Sequence, residues 1–177
     1  HPYITDAIGR VYTWSMPTEL NIQNNNGDFS WAYQIHNRDI AFPITIEFKS
    51  VDVTCTNEQM QFSFDAGSDF QKIQKWTLDK TIEIGGCPPV ILETIASTGK
   101  GYSFKFRKTK EPILGIVVDT PSFIATKNTQ EIYPDFVKVS LSYENNIPIG
   151  KIDVLVSSIT IGLGGPWQVQ WQPYQSP

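Results

Sequence analysis

The chain has 177 residues, of which 40% are hydrophobic and 18% charged, with 5 Trp, 7 Tyr and 10 Phe; that composition builds one core without a metal scaffold and excludes disorder for most of the chain. Lys+Arg number 14 against 18 Asp+Glu, a net charge of -4, so no global positive field exists to hold a phosphate backbone. No apolar run approaches the roughly 18 to 20 residues that span a bilayer, and neither nucleic acid nor a membrane is expected as a partner.

In chain order, Asn24-Asn25-Asn26-Gly27 reads as a turn. Ile44, Ile46 and Phe48 then alternate with Thr45, Glu47 and Lys49, and Val51 and Val53 follow after a change of phase that predicts a bulge. Alternation returns in Met60/Phe62/Phe64, in Tyr102/Phe104/Phe106, in Val137/Val139/Leu141/Tyr143, in Ile152/Val154/Val156 and in Trp167/Val169/Trp171. Turn signals separate these runs at Ala66-Gly67-Ser68-Asp69, Gly85-Gly86, Thr98-Gly99-Lys100-Gly101, Asn145-Asn146 and Gly164-Gly165-Pro166. The three-residue spacing of Phe70, Ile73 and Trp76 predicts a helical turn near Ser68 to Trp76. Seven or more short strands at this spacing predict a single-domain, all-β, immunoglobulin-like antiparallel β-sandwich over residues 1–177.

The chain opens His1-Pro2-Tyr3, as expected after removal of a signal peptide. Cys55 and Cys87 are an even pair, read as a bridge in an oxidising compartment rather than as two buried free thiols. The protein is therefore expected outside the cell, as a monomer.

With His1 and His36 the only histidines, a three-histidine zinc centre is impossible, and no Gly-rich phosphate loop or G-x-S-x-G elbow occurs. A terminal histidine, however, can bind one metal through its α-amine and its imidazole, and a second imidazole completes a planar three-nitrogen set suited to Cu(II). Pro2 removes the first amide N–H as a competing ligand.

A second segment joins this one. Thr129-Gln130-Glu131-Ile132-Tyr133-Pro134 resembles the Gln-x-Tyr-Pro segment that opens a strand in lytic polysaccharide monooxygenases, secreted copper enzymes whose mature chains begin with histidine. The resemblance covers His1, a second histidine and about ten residues around Tyr133. It implies one copper ion held by His1 and His36, with Tyr133 as the axial group and Glu131 in place of the family's glutamine near the metal, orienting or protonating bound oxygen. It also implies an external electron donor, dioxygen or hydrogen peroxide as co-substrate, and hydrogen abstraction at a glycosidic linkage. The chain departs from the best-known fungal branch in three places. Val117 to Ser122 offers no histidine, the second brace histidine comes early, and Phe136 stands where a cysteine follows the Tyr-Pro pair. These departures imply a divergent small branch.

Five of the 14 basic residues fall between Lys100 and Lys110. Alternation turns Lys105 and Arg107 outward, and with Lys108 they suit a polyanion. Homogalacturonan is therefore the first expected substrate, ahead of cellulose or chitin, with Tyr3 stacking on a sugar ring. The same cluster also reads as a solvated edge strand guarded by lysines. The alternative function, of a different class, is a non-catalytic secreted carbohydrate-binding or copper-binding module.

Overall fold

The computed structural model describes residues 3–12, 21–22, 29–30, 39–47, 51–56 and 58–164. Fourteen strands are described: β1 (Tyr3–Thr5), β2 (Val11–Tyr12), β3 (Asn21–Ile22), β4 (Phe29–Ser30), β5 (Thr45–Glu47), β6 (Val51–Cys55), β7 (Met60–Asp65), β8 (Lys75–Ile82), β9 (Val90–Ser97), β10 (Gly101–Lys108), β11 (Ile113–Asp119), β12 (Lys127–Ile132), β13 (Phe136–Ser142) and β14 (Lys151–Leu163). Among the described residues there is no helix and all pairing is antiparallel, so the β-sandwich expected from the alternation is observed.

Two sheets make the sandwich. One has the order β12-β13-β10-β9-β8; the other is β11-β14-β6, with β7 also on β14. β6 and β7 lie in line along one side of the long β14, pairing with Ile159 to Leu163 and with Lys151 to Val156 respectively. The inward residues of the five-stranded sheet, including Phe104, Phe106, Val137, Val139 and Leu141, meet Ile152, Val154, Val156 and Ile159 of the other sheet in one core. Each such side chain, fully removed from water, stabilises the fold by about 1.5 to 3 kcal/mol. Phe64 of β7 crosses between the sheets, with its ring edge-on to Trp76 and Tyr102 at 5.4 Å each.

Along one side the two sheets are joined by side chains. Gln130 of the edge strand β12 accepts a hydrogen bond from the Ile116 N–H of β11 (3.1 Å), and the Asn128 amide donates to the Val118 carbonyl (3.4 Å). Spaced two apart on one strand face, these amides satisfy edge groups of β11 that would otherwise be open to another chain. Between the sheets, Cys55 at the end of β6 is bonded to Cys87 in the connection between β8 and β9, as the cysteine count predicted.

Two local expectations are corrected. Residues 68–74 form an irregular connection, and Trp76 lies in β8; Phe70 packs on the core while Ile73 faces solvent, so their spacing is not the face of a helix. Ile46 and Val51 do not share a bulged strand: β5 pairs with β1 in a separate three-stranded sheet, whereas β6 pairs with β14. In that smaller sheet the buried Asp6 carboxylate organises the turn between β1 and β2. It accepts from the Arg10 N–H (2.9 Å), the Arg10 side chain (2.8 Å) and the Tyr12 hydroxyl (2.6 Å). Burial alone would raise the Asp6 carboxyl, but hydrogen bonds from Tyr12 and Arg10 outweigh it and hold the group well below the usual carboxylate range.

Candidate functional site

His1 and His36 lie outside the described residues, as does the Trp167/Val169/Trp171 run. Tyr3 starts β1 opposite Glu47, and its side chain is likewise outside the description. The structure does place Glu131, Tyr133, Lys105, Arg107 and Lys108, all at one end of the five-stranded sheet.

The hairpin between β12 and β13 sets the geometry. Ile132 pairs with Val137, and the Tyr133 N–H donates to the Phe136 carbonyl at 2.9 Å, closing Tyr133-Pro134-Asp135-Phe136 as a tight turn. Pro134 suits it because its φ is fixed and it has no N–H to satisfy. The segment expected to open a strand therefore ends one and turns.

Glu131 and Tyr133 share a strand face, as their spacing of two predicts, and touch. The Tyr133 hydroxyl donates to Glu131 Oε2 at 2.8 Å. Directly across the ladder, Lys138 places Nζ 2.7 Å from Glu131 Oε1. Lys138 and then Tyr133 hold the Glu131 carboxyl below its ordinary value, and Glu131 in turn raises the Tyr133 phenol. At neutral pH this pair is a carboxylate accepting from a protonated tyrosine. In this arrangement Glu131 accepts from Tyr133 and Lys138 and fixes the position of the Tyr133 ring.

One face of Tyr133 is stacked on Phe136, with centroids 4.5 Å apart and planes 22° from parallel, and Lys105 Nζ sits 4.6 Å from the Phe136 centroid. Tyr133 nevertheless stays 42% exposed. A bulge in β9 explains the next neighbour: pairing jumps from Lys105↔Thr94 to Phe106↔Leu92, which leaves Glu93 unpaired in the ladder and on the outer face. Its carboxylate reaches Lys105 (2.8 Å) and Arg107 (3.4 Å), and Lys105 foremost holds it below the usual carboxylate range. Lys108 pairs with Asp135 at 3.7 Å.

The outward orientation of Lys105 and Arg107 matches the alternation, but the basic cluster does not act as one free patch. Lys105, Arg107 and Lys108 each face a carboxylate. Lys100 stands at the far end of β10, eight residues long and so roughly 25 Å in extent. Glu93, Phe136 and Lys138 completed this site without a sequence signal read for them. Glu93 had one: Leu92 and Ile95, both buried, are three apart in a strand where the inward face repeats every two, which marks a bulge.

The metal donors expected from the sequence, the His1 amine and imidazole and the His36 imidazole, belong to residues outside the described ones. Among the described residues no group of three or more His, Cys, Asp or Glu could hold an ion. Known proteins provide no relative for comparison: no family model, no curated protein and no solved structure matches the chain.

Proposed function

We propose that this is an exported polysaccharide-binding β-sandwich whose sugar-binding surface is the outer face of the five-stranded sheet around Tyr133. The observation that carries the reading is an exposed tyrosine ring already fixed in place, by its stack on Phe136 and by its hydroxyl on Glu131. A ring held this way can stack on the apolar face of a sugar without first losing rotamer freedom. Carboxylates and cations alternate around it, offering acceptors and donors to hydroxyl groups. The Cys55–Cys87 bridge supports work outside the reducing cytosol.

The pairing of Lys105, Arg107 and Lys108 with Glu93 and Asp135 moves the preferred ligand from polygalacturonate to an uncharged chain such as cellulose or chitin, since a polyanion would have to compete with those carboxylates. Depletion of the protein from suspensions of cellulose, chitin and cross-linked polygalacturonate tests this. Loss of retention in Tyr133→Ala supports the reading, whereas retention equal to the parent on every polymer removes Tyr133 from the surface.

A second reading, the copper-dependent oxidative cleavage of polysaccharides, is favoured by the direct Glu131–Tyr133 hydrogen bond, because the resemblance requires those two groups side by side. His1 and His36 would hold the ion, which would supply oxygen activation once reduced by an external donor. The part of Glu131 there is to hold the phenol proton and fix the ring. Copper titration followed by electron paramagnetic resonance tests it: one extra residue before His1 converts the amine to an amide and should abolish tight binding. Unchanged binding rules the brace out, and oxidised oligosaccharides formed only with reductant distinguish an enzyme from a copper store.

A further inference from the structure

The end of the sandwich opposite Tyr133 carries a different kind of surface. The registers Lys75↔Ala96, Tyr102↔Ser97, Gly101↔Ser142 and Lys127↔Ser142 bring the starts of β8, β10 and β12 and the ends of β9 and β13 to this end. The connections 66–74, 120–126 and 143–150 therefore meet there. Each turns apolar side chains inward, among them Phe70, Phe123 and Ile147, which pack on the core. Each also turns one isoleucine out, Ile73 at 97%, Ile124 at 91% and Ile149 at 46% exposed.

These connections are braced. Ala66 N–H donates to the Gly150 carbonyl (2.8 Å) and Gly150 N–H to Gly67 (2.7 Å); Ser97 N–H reaches Gln74 and Thr126 N–H reaches Ser142, both at 2.8 Å. The buried Tyr102 hydroxyl donates to the Pro148 carbonyl, and its ring meets Phe70 at 5.9 Å. Thr120 donates to the Phe123 carbonyl at 2.7 Å. A single exposed isoleucine is ordinary. One on each of three braced connections, all at one end, is an arranged apolar crown.

We propose that this end docks on the surface of a lipid bilayer, with Ile73, Ile124 and Ile149 entering the interfacial layer. Three isoleucine side chains offer far less area than the roughly 1,200 Å² or more that a stable protein interface buries, whereas a fluid interface closes around a few apolar tips without needing a matched surface. Exposed Lys72, beside Ile73, and Lys100, at the tip of the hairpin between β9 and β10, lie where anionic headgroups would meet them. Asp69 and Glu144 share the crown and keep this electrostatic contribution modest. The absence of a spanning segment bears on crossing a bilayer and leaves surface docking open, so this inference departs from the expectation of no membrane partner. It is independent of the sugar reading, whose surface is at the other end.

Co-sedimentation of the full chain with vesicles of phosphatidylcholine, with and without phosphatidylglycerol, tests the proposal. The parent should pellet with vesicles, more so with phosphatidylglycerol. Ile73→Ser and Ile124→Ser should each weaken binding about tenfold with an unchanged melting temperature, and Lys72→Gln with Lys100→Gln should remove only the preference for phosphatidylglycerol. A parent that stays in the supernatant with both vesicle types overturns the proposal, as does an Ile73→Ser/Ile124→Ser variant that pellets like the parent. A parent that ignores vesicles but forms a dimer dissolved by Ile73→Ser would assign the crown to a second copy instead, and would equally overturn it.

Discussion

Removing the bridge between Cys55 and Cys87 perturbs the unfolded chain more than the folded one, and its size follows from where the bridge sits. The two residues are 32 apart in sequence, and the loop between them contains all of β7 and β8, one strand from each sheet. Freeing a loop of that length adds unfolded-state entropy worth about 4 kcal/mol at 25 °C in the chain-entropy account. For a protein of this size each kcal/mol shifts the melting temperature by roughly 2 to 4 °C, so Cys55→Ala/Cys87→Ala should melt about 8 to 16 °C lower. The native sheets keep their hydrogen bonds, so near-ultraviolet circular dichroism at 20 °C should not change. The unfolded chain, no longer tethered, should expose more surface and give a larger urea m-value. Thermal and urea melts of the parent, the double variant and the parent in reductant measure all three quantities. A melting temperature within about 2 °C of the parent, with an unchanged m-value, would refute the reasoning.

Gly101→Ala should cost about 3 kcal/mol or more, because a Cβ there would stand 2.0 Å from the Leu141 carbonyl oxygen, a backbone atom that moves only if β10 and β13 separate; a melt close to the parent's would contradict this. The depressed Asp6 carboxyl contributes stability that is present above the unfolded carboxylate value near about 3.9 and is lost as pH falls from there toward the folded value. The stability gap between the parent and Asp6→Asn should therefore shrink as urea melts are taken from pH 6 down through pH 3, and a constant gap would remove Asp6 from the acid response. Gln130→Ala deletes the acceptor of the Ile116 N–H, at a cost of about 1 kcal/mol, and should speed amide exchange at Ile116 more than at core amides of β14.

The inner faces of the sandwich were legible because Tyr102/Phe104/Phe106 and Val137/Val139/Leu141 pack one face of a strand each, which leaves a plain period of two in the sequence. Phe70, Ile73 and Trp76 misled for the converse reason: one anchors a connection, one is in solvent and one lies on a strand, so their spacing reflects three environments and no helix. Around Tyr133, the contact with Glu131 was readable because the two are two residues apart, Glu131 on β12 and Tyr133 directly after its end. Lys138 was not, since cross-strand register decides which distant residues meet and is not a local property; the bulge at Glu93 was marked by the Leu92 to Ile95 spacing, but its meeting with Lys105 and Arg107 depends on register as well. The run from Lys100 to Lys110 is compact in sequence but extended in space along β10, with carboxylates from β9 and from the turn between β12 and β13 set against its cations.

The central claim is that the Tyr133 ring, fixed by Phe136 and Glu131, binds polysaccharide. Affinity electrophoresis measures it most directly, with the parent and Tyr133→Ala run through gels containing hydroxyethyl cellulose, glycol chitin or polygalacturonate, at low and high salt. The account predicts retardation of the parent by an uncharged polymer, little changed by salt, and binding about tenfold weaker in Tyr133→Ala with the fold intact. Equal mobility of the two proteins in every gel, or retardation by polygalacturonate alone that salt abolishes, would contradict it.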